Sequence, residues 1–341
     1  MTNKAGRRGF TKATPHVGFA IAKPKPKSAL GDNLQSTVAP VSLYVNNVSG
    51  NDANDGMTKA TAKKTIHAAI ATLPPVLRHP VAIILVDTGY AYTIKDLQRV
   101  DFAQALLGDG ETRSARYYTL GHLAFVMQES ARITIGRETT TGERIVIDAT
   151  NFTGFGDGPT FAFLVSDSRV IFHGISFKGF TTAATKIIDS DVEFLDCEHT
   201  GNLLGFSAEQ GSLVTLNGGV VALSGENIGG ILASSSLRVS KTTLKVLPGG
   251  TPGAFFVGER SSNLNFQDHN VTLANDLESG VTAGHVVALA RTSSTITCEP
   301  TWISNGKCVL QTNSTLVRSV GLSPFRGGLD KDASSNDAPT L

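Results

Sequence analysis

The segment FAFLVSDSRVIF (residues 161–172), followed closely by TKIIDSDVEF (185–194), decides the fold. Each is an apolar strand, a small polar corner, and a second strand that begins on an aliphatic residue. The same unit appears upstream as LAFVMQESARITI (123–135) and downstream as LLGFSAEQGSLVTL (203–216) and GGILASSSLRV (229–239). It returns as GAFFVGERSSNLNF (253–266), GHVVALARTSSTITC (284–298) and GKCVLQTNSTLV (306–317). The first aliphatic after each corner is Ile133, Val170, Val192, Leu213, Leu237, Leu264, Ile296 and Leu316, with separations of 37, 22, 21, 24, 27, 32 and 20 residues. The short separations set a basic period of 20–24, and the long ones read as the same unit carrying insertions. Three residues before these references stand Ser130, Asp167, Asp189, Gln210, Ser234, Ser261, Ser293 and Asn313. All are polar, and Ser, Asp and Asn suit a bend because their side chains bond the local backbone.

Strands this short, at this spacing, cannot each close a hairpin. They can coil, each turn of chain stacking about 4.8 Å above the last so that equivalent residues form ladders. Inward aliphatics then build one continuous core, which Cys298 joins as a small hydrophobe, and eight turns rise roughly 38 Å. An antiparallel β-sandwich, with turns every 8–12 residues, would not produce the strand–corner–strand period.

Composition agrees. The chain has 341 residues, of which 17% are charged and 35 are glycine. Ordinary domains carry about 25% charged residues. Short strands and tight corners leave little room for long charged side chains. No apolar run approaches the ~18 residues that span a bilayer, so no membrane partner is expected. The first twenty residues lack the apolar stretch of a secretory leader. Cys197, Cys298 and Cys308 are an odd number without metal or redox spacing. The expectation is synthesis in the cytoplasm with reduced thiols, and neither a metal nor a cofactor.

The net charge of +1 conceals an asymmetry. Residues 1–40 hold seven basic side chains, Lys4, Arg7, Arg8, Lys12, Lys23, Lys25 and Lys27, and one acid, Asp32. That arm is +6, leaving a body of −5. AKPKPKS (22–28) alternates Pro with Lys, which favours an extended strap without internal hydrogen bonds. A basic arm of this kind docks on an acidic partner, either protein or nucleic acid; a solubilising tail is the plainer alternative. Few aromatics in the arm and an acidic body argue against nucleic acid.

YVNNVSGNDANDGMTKATAKKTIHAAIATLP (44–74) resembles the entry motif of right-handed parallel β-helix proteins of the pectate-lyase-like and tailspike-like type, especially bacteriophage tailspikes and other virion appendages. Thr65, Ile66, Ala69, Ile70 and Leu73 fit the helix that caps the open end of the coil in that family, and VAIILVDTGYAYTI (81–94) is similar to its first coil. The resemblance implies an all-β, right-handed parallel β-helix with an N-terminal capping helix and an extended arm, assembled as a homotrimer. It also implies a virion protein: a tail spike or fibre held by residues 1–40 to other virion proteins and meeting host surface glycans. A head-decoration or head-fibre protein is a variant. On this reading 1–40 is the docking arm and 41–80 the entry strand, turn and helix. Residues 81–322 are the β-helix with an insertion at 95–120, and 323–341 a polar tail.

Relatives of this type cut or bind polysaccharides on the outer face, which opens an enzymatic alternative, a glycan lyase or hydrolase. The best carboxylate pair is Asp167 and Asp189, expected one rung apart, with Asp191, Glu193 and Glu209 close by. Two carboxylates that near would raise one pKa, as a general acid requires. Ser, Gln and Asn hold the same column elsewhere, so a structural corner is the competing reading. The 51–62 stretch resembles a calcium loop in part, but positions 3 and 12 are Ala53 and Ala62. Residues 95–118, with Leu97, Val100, Phe102 and Leu106, read as an amphipathic helix or loop on the side of the coil.

Overall fold

The computed structural model describes residues 36–93, 97–105, 112–128, 130–139, 141–152, 159–247, 254–266, 286–298, 306–319 and 329–340. The seven basic residues of the arm lie outside these. Among the described residues nearly every strand belongs to one of three sheets that the chain visits in rotation. A first-sheet strand, Ile133–Gly136, is followed by Ile145–Asp148 in the third sheet and Thr160–Ser166 in the second. The chain then returns to the first at Arg169–His173, which lies directly on Ile133–Gly136. Repetition gives a first sheet of eleven strands, a second of ten and a third of six, with parallel pairing throughout except for one hairpin. The molecule is a three-sheeted parallel β-solenoid.

The core consists of columns, one residue per coil. The first sheet contributes Ile133, Val170, Val192, Val214, Leu237, Leu264, Ile296 and Leu316, each in register with the next and each no more than 2% exposed. The fourth member is Val214 and not Leu213, whose side chain is only half-buried. The reason is local: the outward position just past Ser212 is itself aliphatic, Leu213, where the other coils carry Arg169, Asp191, Ser236, Asn263, Thr295 and Thr315. Corners at Asp167, Asp189 and Ser234 turn on a single left-handed residue, whereas Gln210–Gly211, Arg260–Ser261, Thr292–Ser293 and Thr312–Asn313 each use two. Corner length is not what displaces the reference.

Directly after each corner from Asp167 onward comes a serine; the corner at Ser130 is followed by Ala131. Ser168, Ser190, Ser212, Ser235, Ser262, Ser294, Ser314 and Ser335 form a buried column along the stack. The hydroxyls of Ser190, Ser212, Ser262, Ser294 and Ser335 work in two directions. Ser190 Oγ accepts the Ser168 N–H at 3.1 Å and donates to the Ile188 carbonyl at 2.7 Å. Ser262 Oγ accepts the Ser235 N–H at 3.2 Å, and Ser294 Oγ accepts the Ser262 N–H at 3.1 Å. Buried backbone donors must be satisfied, and here the next coil's serine does so.

Aromatic residues stack on the same repeat. Phe172 lies on Phe194 with ring centroids 5.4 Å apart, and Phe177 lies on the imidazole of His199 at 5.1 Å. In the second sheet large and small residues alternate along one inward column: Gly121, Phe163, Thr185, Phe206, Gly230, Phe256, Ala288 and Cys308. The alternation is steric, since a Cβ on Gly230 would sit 2.1 Å from Phe206 Cζ. Between the first and third sheets, Asp196 (φ 49°) ties two arginines from an earlier coil. Its carboxylate accepts from Arg137 Nη2 at 2.6 Å and Arg144 Nη2 at 2.7 Å.

Two segments depart from the expectations drawn from residue order. Residues 95–118 form no helix among the described positions. Gln98–Ala105 and Thr112–Ala124 make an antiparallel hairpin at the edge of the second sheet, with Val100 opposite Tyr117 and Phe102 opposite Ala115. Val100 and Phe102 have the i, i+2 spacing of a strand face, and the exposed edge of Thr160–Ser166 supplies a partner for the second arm of the hairpin. Val100 is buried against Leu164, with Tyr117 and Ile188 packed around them. At the other end, Leu329–Lys331 and Asn336–Thr340 fall in the stretch read as a polar tail but join the second and first sheets. The short helix Ile66–Ala71 is present; Thr65 Oγ1 accepts the Ala68 N–H, and Ile66, Ala69 and Ile70 are buried.

This packing makes two predictions for stability. Ser262→Ala leaves the Ser235 N–H buried without its acceptor and is expected to cost about 1–3 kcal/mol, read as a lowered midpoint in chemical denaturation; an unchanged midpoint would remove the serine column from the account. His199 is fully enclosed, neither ring nitrogen has a hydrogen-bond partner, and burial pushes its pKa down to about 3. The unfolded chain protonates near 6.5 and the folded one resists, so stability holds above pH 6.5 and falls as pH drops towards 3, by about 1.4 kcal/mol per unit. His199→Leu should flatten that acid limb in thermal melts without loss at pH 7. His122, lowered by burial to about 4, contributes a shorter limb in both proteins.

Candidate functional site

The period that fills the core also lays out the outer face of the first sheet. Residues flanking each inward aliphatic point outward and form two ladders. One runs Arg169, Asp191, Leu213, Ser236, Asn263, Thr295 and Thr315; the other runs Ile171, Glu193, Thr215, Arg238, Asn265, Thr297 and Val317. Polar side chains dominate both, because these positions contact no other layer of the core.

Two shallow recesses open on this face beside the corner. The first, about 310 Å³, is lined by Met127, Asp167, Arg169, Asp189, Asp191 and Gly211, together with the corner serines. The second, about 270 Å³, is lined by Gly211, Leu213, Ser236, Arg238, Asn263 and Asn265 and neighbouring corner residues. Gly211 belongs to both, so the recesses continue into each other along the stack.

The structure therefore brings Asp167, Asp189 and Asp191 around one recess, as the sequence led us to expect. Glu193 stands further along its strand, outside the lining, where its Oε1 accepts from Asn217 Nδ2 at 3.0 Å. Glu209 lies on the second sheet and forms an ion pair with Lys186. Asp167 and Asp189 carry a structural load as well. Both are left-handed, with φ of 51° and 45°, a conformation that Asp and Asn tolerate and β-branched residues do not. Their own N–H groups donate to the Ile188 and Glu209 carbonyls of the next coil.

The partial calcium-loop stretch has a definite use. Asp52 Oδ1 accepts from the Lys64 and Thr65 N–H groups at 2.8 Å each, and Asp55 Oδ1 accepts from Met57 N–H and from Thr61 Oγ1, the contacts that hold its carboxyl below the usual range. These bonds shape the turn and anchor the helix start. All three cysteines are buried thiols; burial pushes Cys197 up to about 12, which leaves it a core residue and not a nucleophile.

Arg238, Asn263 and Asn265 were not singled out in the sequence. Their signal is faint: they flank the fifth and sixth reference aliphatics, Leu237 and Leu264, where the insertions lengthen the spacing.

No family model matches the chain, and no curated protein does. Among solved structures, a rhamnogalacturonan lyase overlays with a TM-score of 0.42 at 11% identity, covering 81% of this chain and 74% of that one. A GH136 lacto-N-biosidase from Eubacterium ramulus overlays at 0.35 and 10% identity, covering 87% and 67%. Likeness at this level transfers no activity, and the fold rests on the strand pairing described above.

The corner geometry makes a direct prediction. Asp189→Asn should keep the fold, since Asn accepts the left-handed conformation, whereas Asp189→Val should lose about 1–3 kcal/mol. Equal denaturation midpoints for the two variants would show that the corner is not under conformational demand.

Proposed function

We propose that this chain is a structural, glycan-contacting component of a bacteriophage particle. The observation that carries the contact is the pair of recesses joined at Gly211 on an open polar sheet face. An extended polar polymer can lie along such a face, meeting a new set of side chains on each rung. A small apolar ligand would instead need an enclosed, mostly apolar cavity. The entry motif at 44–74 supports a virion appendage. In this reading residues 1–40 anchor the body to acidic virion proteins, the helix Ile66–Ala71 caps the first coil, and three copies assemble side by side as a tail spike or fibre. The same parts would serve on the head, with the arm lying across capsid subunits as a cement.

A second reading is favoured by one observation, the convergence of Asp167, Asp189 and Asp191 on one recess. In it the protein is a glycan lyase or hydrolase and these carboxylates supply acid–base catalysis.

Incubation of the purified protein with host capsule or lipopolysaccharide separates the two. Binding without new reducing ends or unsaturated sugars is the expected result. Turnover that Asp167→Asn and Asp189→Asn abolish would establish the enzyme instead. For the anchor, deletion of residues 2–40 should leave a folded body that is no longer incorporated into virions; normal incorporation would remove the arm from the account. Antibody labelling of particles in the electron microscope then distinguishes head from tail.

A further inference from the structure

We propose that the coil formed by Leu329–Lys331 and Asn336–Thr340 is a built-in stop, which keeps a second copy of the chain from stacking end-on to the solenoid. The inference concerns how copies meet and is independent of what the outer face of the first sheet contacts.

This coil keeps the corner and abandons the core. Ser335 is buried in the serine column, where its Oγ accepts the Ser314 N–H at 3.2 Å. Asp332, in the corner, accepts from the Ser334 and Ser335 hydroxyls and from the Thr312 N–H. Register is therefore held as in the coils before it. The inward positions are different. One inward column of the second sheet runs through Leu232, Gly258, Ala290 and Leu310, all buried, and its next member is Lys331, which is exposed. The first-sheet column that passes through Ile296 and Leu316 arrives at Asp337. A further coil laid on top would bury both charges, and burying charge is costly unless it is well paired.

The backbone edge is blunted as well. Successive N–H groups of a strand in a parallel ladder point alternately to the coil below and to the coil above. Asn336 N–H donates to the Ser314 carbonyl at 2.8 Å, towards the stack, so positions 337 and 339 face the open side. Position 339 is proline, which has no N–H to give. One coil down, Arg318 is in register with it and still supplies a backbone donor. Inward charges and a proline turned to the open side are two devices that make an edge unfit for pairing. At the opposite end of the first sheet the edge strand Val41–Val45 is occupied by the chain itself. Tyr44 N–H donates to the Gly56 carbonyl at 2.7 Å, and Lys63 N–H to the Tyr44 carbonyl at 2.9 Å. With that edge taken, the end-on partner that matches the last coil is the last coil of another copy, in a two-fold antiparallel pair. Lys331, Asp337 and Pro339 block that pair and leave copies to meet along their sides.

The test uses the full chain with Lys331→Leu, Asp337→Leu and Pro339→Val combined, beside Pro339→Val alone. A control carries Lys178→Leu and Lys245→Leu, at exposed positions of the third sheet. Folding is checked by circular dichroism, and association is read from sedimentation over a concentration series and from particle length in electron micrographs. The unmodified chain and the control should show no end-on species. The combined variant should form particles of doubled length, with an end-on association constant roughly hundredfold above that of the unmodified chain, from two newly buried side chains. Pro339→Val alone, which restores one backbone donor, should raise it about threefold to tenfold and decides the question if the combined variant does not fold. End-on pairing by the unmodified chain, identical sedimentation of all four proteins, or equal association of control and combined variant would overturn the stop. So would association of the variants along their sides alone.

Discussion

Each coil of this solenoid must lie in register on the one before it, and the corner between the second and first sheets is where register is hardest to keep. There the backbone turns through left-handed residues, and the amide just past the turn is buried. Its donor is met by a serine hydroxyl from the next coil, as in Ser168 to Ser190 and Ser262 to Ser294. At Ser190 and Ser294 the same hydroxyl bonds back to a carbonyl before its own corner, so such a serine both closes one turn and locates the next. One-residue and two-residue corners both occur along the stack, and both deliver a serine to this column. From Asp167 onward the corner itself varies while the residue just past it stays serine.

Once register is set, packing is fixed column by column. Identical phase on successive coils places Phe172 over Phe194 and Phe177 over His199. It also requires bulk on one rung to be relieved on the next, which is why Gly230 lies beside Phe206. His199 shows that aromatic shape is enough for a place in this stack: its nitrogens bond to nothing, and the cost appears only when acid would protonate it.

Outward positions are under no such constraint. They keep the ladder geometry but are free in chemistry, and along one face the composition passes from carboxylates around Asp167, Asp189 and Asp191 to amides around a lone arginine at Arg238. A repeating scaffold thereby offers a polymer a sequence of different contacts at regular spacing. Asp167 and Asp189 sit on the border between these roles, since their backbone conformation serves the corner and their side chains line a recess.

The repeat, the inward aliphatics and the polar corner were legible from residue order, because burial on one side of a strand forces a period of two and the coil imposes a longer one. The acidic recess was legible too, since its members lie in adjacent, uninterrupted periods. The serine column was not: an aliphatic at the outward position just past Ser212 drew the fourth reference to Leu213 and hid the alignment. Nor was the hairpin at Gln98–Ala105 and Thr112–Ala124, whose apolar spacing suits a short helix as well as a strand until a neighbouring edge offers backbone partners. Sequence alone therefore determined that the chain coils and which side chains face inward, both being consequences of local periodicity. Which residues meet across coils was decided by tertiary structure. Insertions of different length separate Arg238 from Asn265 and from Glu193, and only the hydrogen-bonded register brings such positions onto one ladder.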